Sequence, residues 1–135
     1  MTDFRAVTES ISVSPQIALA DVRSAAEQGF KLIISNRPDG EDQGQPSAEQ
    51  VAAAAKSAGV GFVHIPVVGA PTMAQVEATR AAIAEAEGPV LLFCRSGTRS
   101  IVAWSLGEAM AGARPRGELL ELGRAAGYDL SGVLG

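Results

Sequence analysis

The chain has 135 residues, 47% of them hydrophobic, and its eleven basic and fifteen acidic residues give a net charge of −4. That length fits one domain over residues 1–135 with a single buried core, and the acidic balance argues against broad nucleic-acid binding. One cysteine and one histidine exclude an internal disulfide and a structural zinc site, and no apolar run approaches the ~18 residues of a membrane span.

The amino terminus and the lone cysteine bear on the compartment. Residues 1–5 do not join a basic region to an apolar one, so we expect no signal peptide. A single free thiol fits a reducing setting. We therefore expect a soluble cytoplasmic protein that binds neither membrane nor nucleic acid and uses no metal and no cofactor.

Strand and helix signals alternate along the first part of the chain. Residues 4–13 predict one or two short strands, and residues 19–26 carry apolar side chains at helical spacing before Gly29, which can end a helix. Residues 32–34 form an apolar run rich in β-branched side chains, which predicts a buried strand. The turn formers over 36–46 predict a loop.

The alternation continues to the end of the chain. A capping box at Ser47 and Gln50 begins an alanine-rich helix that reaches about Ala58. Residues 62–65 predict a strand, and an uncharged loop follows over 67–71. The remaining predicted elements are a helix from Thr72 that Gly88 closes, a strand over 90–93, a helix through 101–110 that breaks at Gly112, a short helix holding 119–122, and an irregular tail over 128–135.

This order of elements predicts an α/β fold. Strands that alternate with helices imply a mainly parallel central sheet with helices on both faces. Ligands of such sheets bind beyond the carboxyl ends of the strands. The loops over 36–46, 67–71 and 94–99 all follow strands, so we expect them to meet at one edge of the sheet and to form one site.

The segment after the strand 90–93 carries the chemistry. Cys94 ends the strand, and a small polar loop then begins a helix, so loop amides and the helix N-terminus can converge on an anion. The helix end and nearby arginines favour the thiolate, although a free cysteine can also be a plain buried side chain. Gly97 permits close backbone approach, Arg99 offers a planar fork, and Ser100 adds a hydroxyl. The other predicted loop members are Arg95, Ser96 and Thr98.

Three segments resemble the phosphatase-like domain of the beta-lactamase-hydrolase-like proteins. They read Cys-Arg-Ser-Gly-Thr-Arg-Ser over 94–100, Ser-Asn-Arg-Pro-Asp-Gly-Glu over 35–41 and His-Ile-Pro-Val over 64–67. The resemblance implies a fold like that of the tyrosine and dual-specificity phosphatases, which is the cysteine-phosphatase-like fold. It also implies that Cys94 is the nucleophile, that Arg99 clamps the oxyanion, and that Ser100 stabilises the leaving thiolate. The loop is also similar to that of the rhodaneses, which transfer sulfur.

The sequence departs from the ordinary tyrosine-phosphatase pattern in three ways. Only four residues separate Cys94 from Arg99, where those phosphatases have five, so we expect a tighter ring that suits a sulfur atom. Phe93 stands where those phosphatases usually carry histidine. The loop over 67–71 lacks the acid that would protonate a leaving alcohol.

The loop over 36–46 is the candidate source of the missing acid. Asp39 and Glu41 are the candidate catalytic acids, although Pro-Asp-Gly is also ordinary turn chemistry. Arg37 is a secondary candidate that would attract an anion or form a surface salt bridge. His64 lies inside a predicted strand, so we interpret it as a packed histidine.

Three functions are compatible with these residues. The first is a cysteine-dependent phosphatase acting on a phosphomonoester, which the resemblance over most of the chain favours. The second is a sulfurtransferase with a persulfide on Cys94, which the short loop and the missing acid favour, since sulfur transfer needs no proton donor. The third is a non-catalytic oxyanion-binding module. In each case the partner is a small anion, either a phosphate ester or a sulfane-sulfur donor, and the oligomeric state stays undetermined.

Overall fold

A computed structural model describes residues 2–134, which form five strands and six helices. The strands are β1 (Arg5–Ala6), β2 (Ile11–Ser14), β3 (Leu32–Ser35), β4 (Gly61–His64) and β5 (Val90–Phe93). The helices are α1 (Leu19–Glu27), α2 (Ala48–Ala58), α3 (Met73–Glu85), α4 (Thr98–Met110), α5 (Arg116–Ala125) and α6 (Ser131–Leu134).

The strands form one mixed sheet in the order β1-β2-β5-β3-β4. Only β1 is antiparallel to its neighbour, and the other pairs are parallel, which confirms the predicted mainly parallel sheet. Every residue of β2, β3 and β5 is buried because helices cover both faces of the sheet. The central strand β5 therefore delivers Cys94 to the middle of one sheet edge.

The core has two layers, one on each face of the sheet. Alternate side chains of the central strands enter opposite layers because the side-chain period of a strand is two. Ile33 and Leu91 pack under α1 and α2, whereas Ile34 and Leu92 pack under the helices of the other face. No helix within residues 2–134 has both the length and the apolarity to cross a membrane.

Local signals placed several helix ends correctly, although α3 ends at Glu85 with its cap at Ala86 and not at the predicted Gly88. Ser47 and Gln50 form the predicted reciprocal capping box of α2, and Thr72 begins α3 with the same arrangement. Gly59 ends α2 with a φ of 79°, a left-handed conformation that glycine adopts without strain. The loops over 36–46 and 67–71 lead directly into these two caps, so the caps fix where the loops end.

The predicted irregular tail is wrong in part. Residues 131–134 form α6, and the Asp129 carboxylate caps it by accepting from the Ser131 backbone N–H at 3.0 Å. Tyr128 and Leu130 are buried, at 9% and 1% exposure, so the segment is held by packing that no periodic pattern announced. Met1 and Gly135, at the ends of the predicted domain, lie outside the described residues.

Candidate active site

The loop after β5 turns its backbone toward the cysteine thiol. Cys94 is fully buried, and the Gly97 backbone N–H donates a hydrogen bond to Cys94 Sγ at 3.1 Å. Gly97 has a φ of 94° and is the residue from which α4 begins, so the positive end of a 13-residue helix lies beside the sulfur. Backbone N–H groups at the start of a helix are suited to binding an anion, and here they lie beside the thiol.

The outer residues of the loop are open to solvent. Arg95, Ser96 and Thr98 are exposed, and the Arg95 side chain lies 4.0 Å from the Asp42 carboxylate. The Ser96 hydroxyl bonds the Thr98 hydroxyl at 2.9 Å, which ties the two turns of the loop together. These three side chains therefore lie on the solvent side of the loop, and the thiol lies on its buried side.

Arg99 is held by Glu41 and Val67 through the terminal nitrogens of its guanidinium. Its Nη1 and Nη2 atoms donate to the two Glu41 carboxylate oxygens at 2.8 Å each, and Nη1 also donates to the Val67 carbonyl at 2.8 Å. A guanidinium has five N–H donors. The Nε–H and the second Nη2–H donate neither to Glu41 nor to Val67, and these two donors form one planar fork suited to two oxygens of an anion. Hydrogen bonding to Glu41 and, after it, the nearby charge of Cys94 raise the pKa of Arg99 above its usual value.

Arg37 is a buried partner of the same carboxylate. Its side chain is 3% exposed, and its Nε atom donates to Glu41 Oε1 at 2.8 Å. Its other donors bond Asp42 at 2.8 Å and Gln16 at 3.0 Å. Burial alone would lower the pKa of Arg37, but the two carboxylates outweigh it and raise that pKa above its usual value. The surface salt bridge considered from the sequence is thus a buried cluster that orients Glu41.

Glu41 lies between two arginines and is a carboxylate at neutral pH. Hydrogen bonds from Arg99 and then from Arg37 lower the pKa of Glu41 from 4.5 to about 2. A group with so low a pKa has almost no proton to give near pH 7. The geometry therefore suits Glu41 to orienting Arg99 better than to protonating a leaving group.

Substituting Glu41 by glutamine should flatten the acid limb of the stability curve. Because the folded pKa lies below the ordinary value, ionised Glu41 stabilises the fold above about pH 4.5, and this contribution is lost as the pH falls toward 2. Denaturant unfolding from pH 7 to 2 should show Glu41→Gln less stable than the parent at pH 7, with the gap closing in acid. Glu87→Gln, at an exposed carboxylate outside the cluster, is the control. A gap that stays constant across that range would contradict the pairing.

Asp39 is directed to a helix end and not to the thiol. Its Oδ1 atom accepts from the Ala48 backbone N–H at 2.8 Å, at the first turn of α2. Carboxylates are stabilised at such a position by the helix dipole. The structure thus brings Glu41 to Arg99 and leaves Asp39 on the far side of the same loop.

Two buried polar groups near the end of the central strands lack partners. Ser100 is fully buried in the first turn of α4, and its hydroxyl oxygen has no hydrogen-bond partner among the described residues. The side-chain Oδ1 atom of Asn36 is likewise unpaired among the described residues, although the side-chain amide nitrogen donates to the Ile65 carbonyl at 3.0 Å. An unpaired buried hydroxyl is costly unless a reaction state uses it. Ser100 therefore fits a donor to a thiolate or a bound anion.

Some neighbours of the site were not found from the sequence. Tyr128 donates its hydroxyl hydrogen to the Ser96 carbonyl at 2.8 Å, and the Val67 carbonyl and the Gln16 amide bind Arg99 and Arg37. The one sequence signal available was that Tyr128 is the only tyrosine of the chain and follows a glycine. His64 is packed as expected, since its Nε2 atom lies 2.8 Å from the Arg37 carbonyl. Among residues 2–134 no three His, Cys, Asp or Glu side chains cluster as a metal site would require.

Known proteins share this fold and much of this sequence. A family model described as the phosphatase-like domain of beta-lactamase hydrolase-like protein matches residues 3–111. A beta-lactamase hydrolase-like protein of Agrobacterium fabrum is 42% identical over 126 residues, which cover 92% of this chain and 29% of that protein. The chain thus spans less than a third of that curated relative.

Solved structures agree with the family match. A Neisseria meningitidis protein whose crystal structure describes it as a candidate phosphatase superposes with a TM-score of 0.87, at 36% identity, covering 99% of this chain and 95% of that one. The active form of Tk-PTP superposes with a TM-score of 0.72 at 20% identity, covering 98% and 90% of the two chains, and shows a common fold. The resemblance stated from the sequence is confirmed: this chain belongs to the family of phosphatase-like domains of beta-lactamase hydrolase-like proteins.

Proposed function

We propose that this domain is a cysteine-dependent phosphatase in which Cys94 takes the phosphoryl group of a phosphomonoester. The observation that carries this proposal is the convergence of two kinds of donor on one sulfur: the Gly97 N–H lies 3.1 Å from Cys94 Sγ, and the Arg99 guanidinium lies close enough that Cys94, after Glu41, raises its pKa. Donors fixed before the substrate binds stabilise the charge of a transition state without reorganising. Membership of a phosphatase-like family supports phosphorus as the reacting atom.

Each step of the proposed reaction uses a group of the loop. The Cys94 thiolate attacks phosphorus, the S–P bond forms, and the P–O bond to the leaving group breaks with its electron pair on that oxygen. The loop amides and Arg99 hold the other phosphoryl oxygens. Water then attacks phosphocysteine, phosphate leaves with the new oxygen, and the returning thiolate accepts a hydrogen bond from Ser100.

The acids of the site restrict the leaving group. Glu41 is ionised between Arg99 and Arg37, and Asp39 is bound to the N-terminus of α2. Without a proton donor, an alkoxide leaves poorly and an aryl oxide or carboxylate leaves well. We therefore propose aryl phosphates as the substrate class, with Glu41 positioning Arg99 and Asp39 supporting the loop.

Sulfur transfer is the second candidate, and the same acids favour it. The Cys94 thiolate would attack the outer sulfur of thiosulfate, forming a persulfide and releasing sulfite with the electron pair of the S–S bond. A nucleophile such as cyanide would then take the outer sulfur and restore the thiolate. No proton donor is needed in either step, and the spacing of four residues between Cys94 and Arg99 makes a small ring.

Parallel assays separate these functions. We expect the purified domain to release phosphate from an aryl phosphate much faster than from an alkyl phosphate, because leaving-group basicity is uncompensated. The second assay supplies thiosulfate and cyanide, and it measures the thiocyanate that is formed. Thiocyanate without phosphate release would replace the phosphatase by the sulfurtransferase. Neither product, together with binding of inorganic phosphate or sulfate, would indicate the non-catalytic module.

A further inference from the structure

Tyr128 lies near the carboxyl end of the chain and contacts the loop over 94–99. It follows α5 and lies beyond residue 111, where the family match ends. Its side chain is buried at 9% exposure, and its hydroxyl donates to the Ser96 carbonyl oxygen at 2.8 Å. A hydrogen bond thus joins the loop to a segment that lies 32 residues further along the chain.

The bonded carbonyl belongs to the peptide group that faces the thiol. Ser96 C=O and Gly97 N–H are parts of one planar unit, and in a trans peptide they point in opposite directions. No peptide bond among the described residues is cis. Because Tyr128 draws the carbonyl outward, the Gly97 N–H is directed inward, where it lies 3.1 Å from Cys94 Sγ.

The close approach of the tyrosine depends on glycine. A Cβ atom at position 97 would lie 2.1 Å from the Tyr128 hydroxyl oxygen, well inside any permitted contact, and the φ of 94° is strained for other residues. The peptide plane at 96–97 is therefore free to take either orientation in the absence of an external bond, since glycine imposes no side-chain preference.

The tyrosine itself is rigidly held. Its backbone N–H donates to Gly123 O at 2.8 Å, and the Arg5 guanidinium lies 5.2 Å from the centre of its ring. Leu130, two residues later, is 1% exposed in the core. A buried ring that lies under a guanidinium, on a backbone that is itself hydrogen-bonded, presents its hydroxyl at one position, so it can act as a template for the loop.

We propose that Tyr128 is a positioning residue that keeps the N–H of the 96–97 peptide, and not its carbonyl, toward Cys94 and the bound anion. A flipped peptide would point a carbonyl dipole at the thiolate and at the substrate oxygens, which repels both. The proposal rests on the proposed role of Cys94 as the reactive thiol. It assigns a part in that role to a residue outside the family match.

Alkylation of Cys94 by iodoacetamide, followed from about pH 5 to 9, tests the proposal without any substrate. Tyr128→Phe keeps the ring and removes only the hydroxyl. We expect alkylation at pH 7 to slow about tenfold, the worth of one hydrogen bond to a charged group, and the alkylation midpoint to move to higher pH. Kcat should fall with the same ratio while KM changes little. An unchanged pH profile would overturn the proposal.

A control separates positioning from loss of stability. Leu130→Val weakens the same buried segment without touching the loop, so its Tm should fall while the alkylation profile stays that of the parent. If Leu130→Val shifted the profile as much as Tyr128→Phe at a matched loss of Tm, the hydroxyl would have no specific role. The alkylation difference remains measurable even if neither phosphate nor thiocyanate is formed, so this proposal and the proposed function fail separately.

Discussion

Cys94→Ser should abolish product formation from aryl phosphate and from thiosulfate alike, a loss of about ten-thousand-fold or more. A serine hydroxyl keeps its proton near neutral pH, and the Gly97 N–H that lies 3.1 Å from the sulfur cannot ionise it. The side chain is fully buried and the two residues are close in size, so the fold should persist. Initial rates with each substrate measure the effect.

The covalent step can be checked directly in the parent protein. Acid quenching during turnover should trap a phosphoryl or persulfide adduct on the peptide that contains Cys94, and mass spectrometry distinguishes the two. Circular dichroism and the Tm of Cys94→Ser control for folding. A Cys94→Ser protein that retains a tenth of the parent rate would remove this thiol from the reaction, since about 1.4 kcal/mol is far below the contribution of a nucleophile.

Arg99→Lys should lower kcat/KM by about a thousandfold. The parent guanidinium donates to Glu41 and to the Val67 carbonyl through Nη1 and Nη2. Its Nε–H and second Nη2–H are the donors proposed for the substrate. A lysine ammonium is a single point charge, so it cannot hold Glu41 at both oxygens and present a planar fork to an anion at the same time. Steady-state rates with the aryl phosphate, or with thiosulfate if that is the substrate, measure the loss.

The control for Arg99→Lys replaces an arginine by a lysine outside the site. Arg114→Lys alters a surface ion pair with Glu118 at 2.8 Å, beyond the end of α4, and should leave kcat/KM unchanged. Both variants keep the positive charge. A loss of kcat/KM in Arg99→Lys alone would therefore come from the lost planar shape of the guanidinium and not from a lost charge. A loss of less than about threefold at Arg99 would mean that charge alone binds the substrate, and that the Glu41 clamp has no catalytic consequence.

The order of strands and helices could be predicted because its signals are local. Apolar runs, two capping boxes and glycines at helix ends each act over a few residues, and the structure confirms α2, α3 and the mainly parallel sheet. The position of Cys94 between β5 and α4 follows from the same reasoning. The family was likewise recognisable, because its motifs are contiguous segments.

The roles of the acids could not be predicted in this way. Glu41 and Arg99 are 58 residues apart in sequence, and their contact depends on the path of the loop that Arg37 holds in place. Turn-forming composition identifies such a loop but does not say which carboxylate turns inward. Glu41 faces Arg99 and Asp39 faces α2, and neither placement follows from the composition of the loop.

The strand–helix alternation, the family and the thiol at the carboxyl end of the central strand are encoded by neighbouring residues, so they could be predicted from the chain alone. The surroundings of that thiol depend on contacts between distant segments. The buried Arg37, the two-sided Arg99 and the bond from Tyr128 to Ser96 join residues 4 to 58 positions apart. Such contacts are selected by packing of the whole chain, so no local pattern announces them.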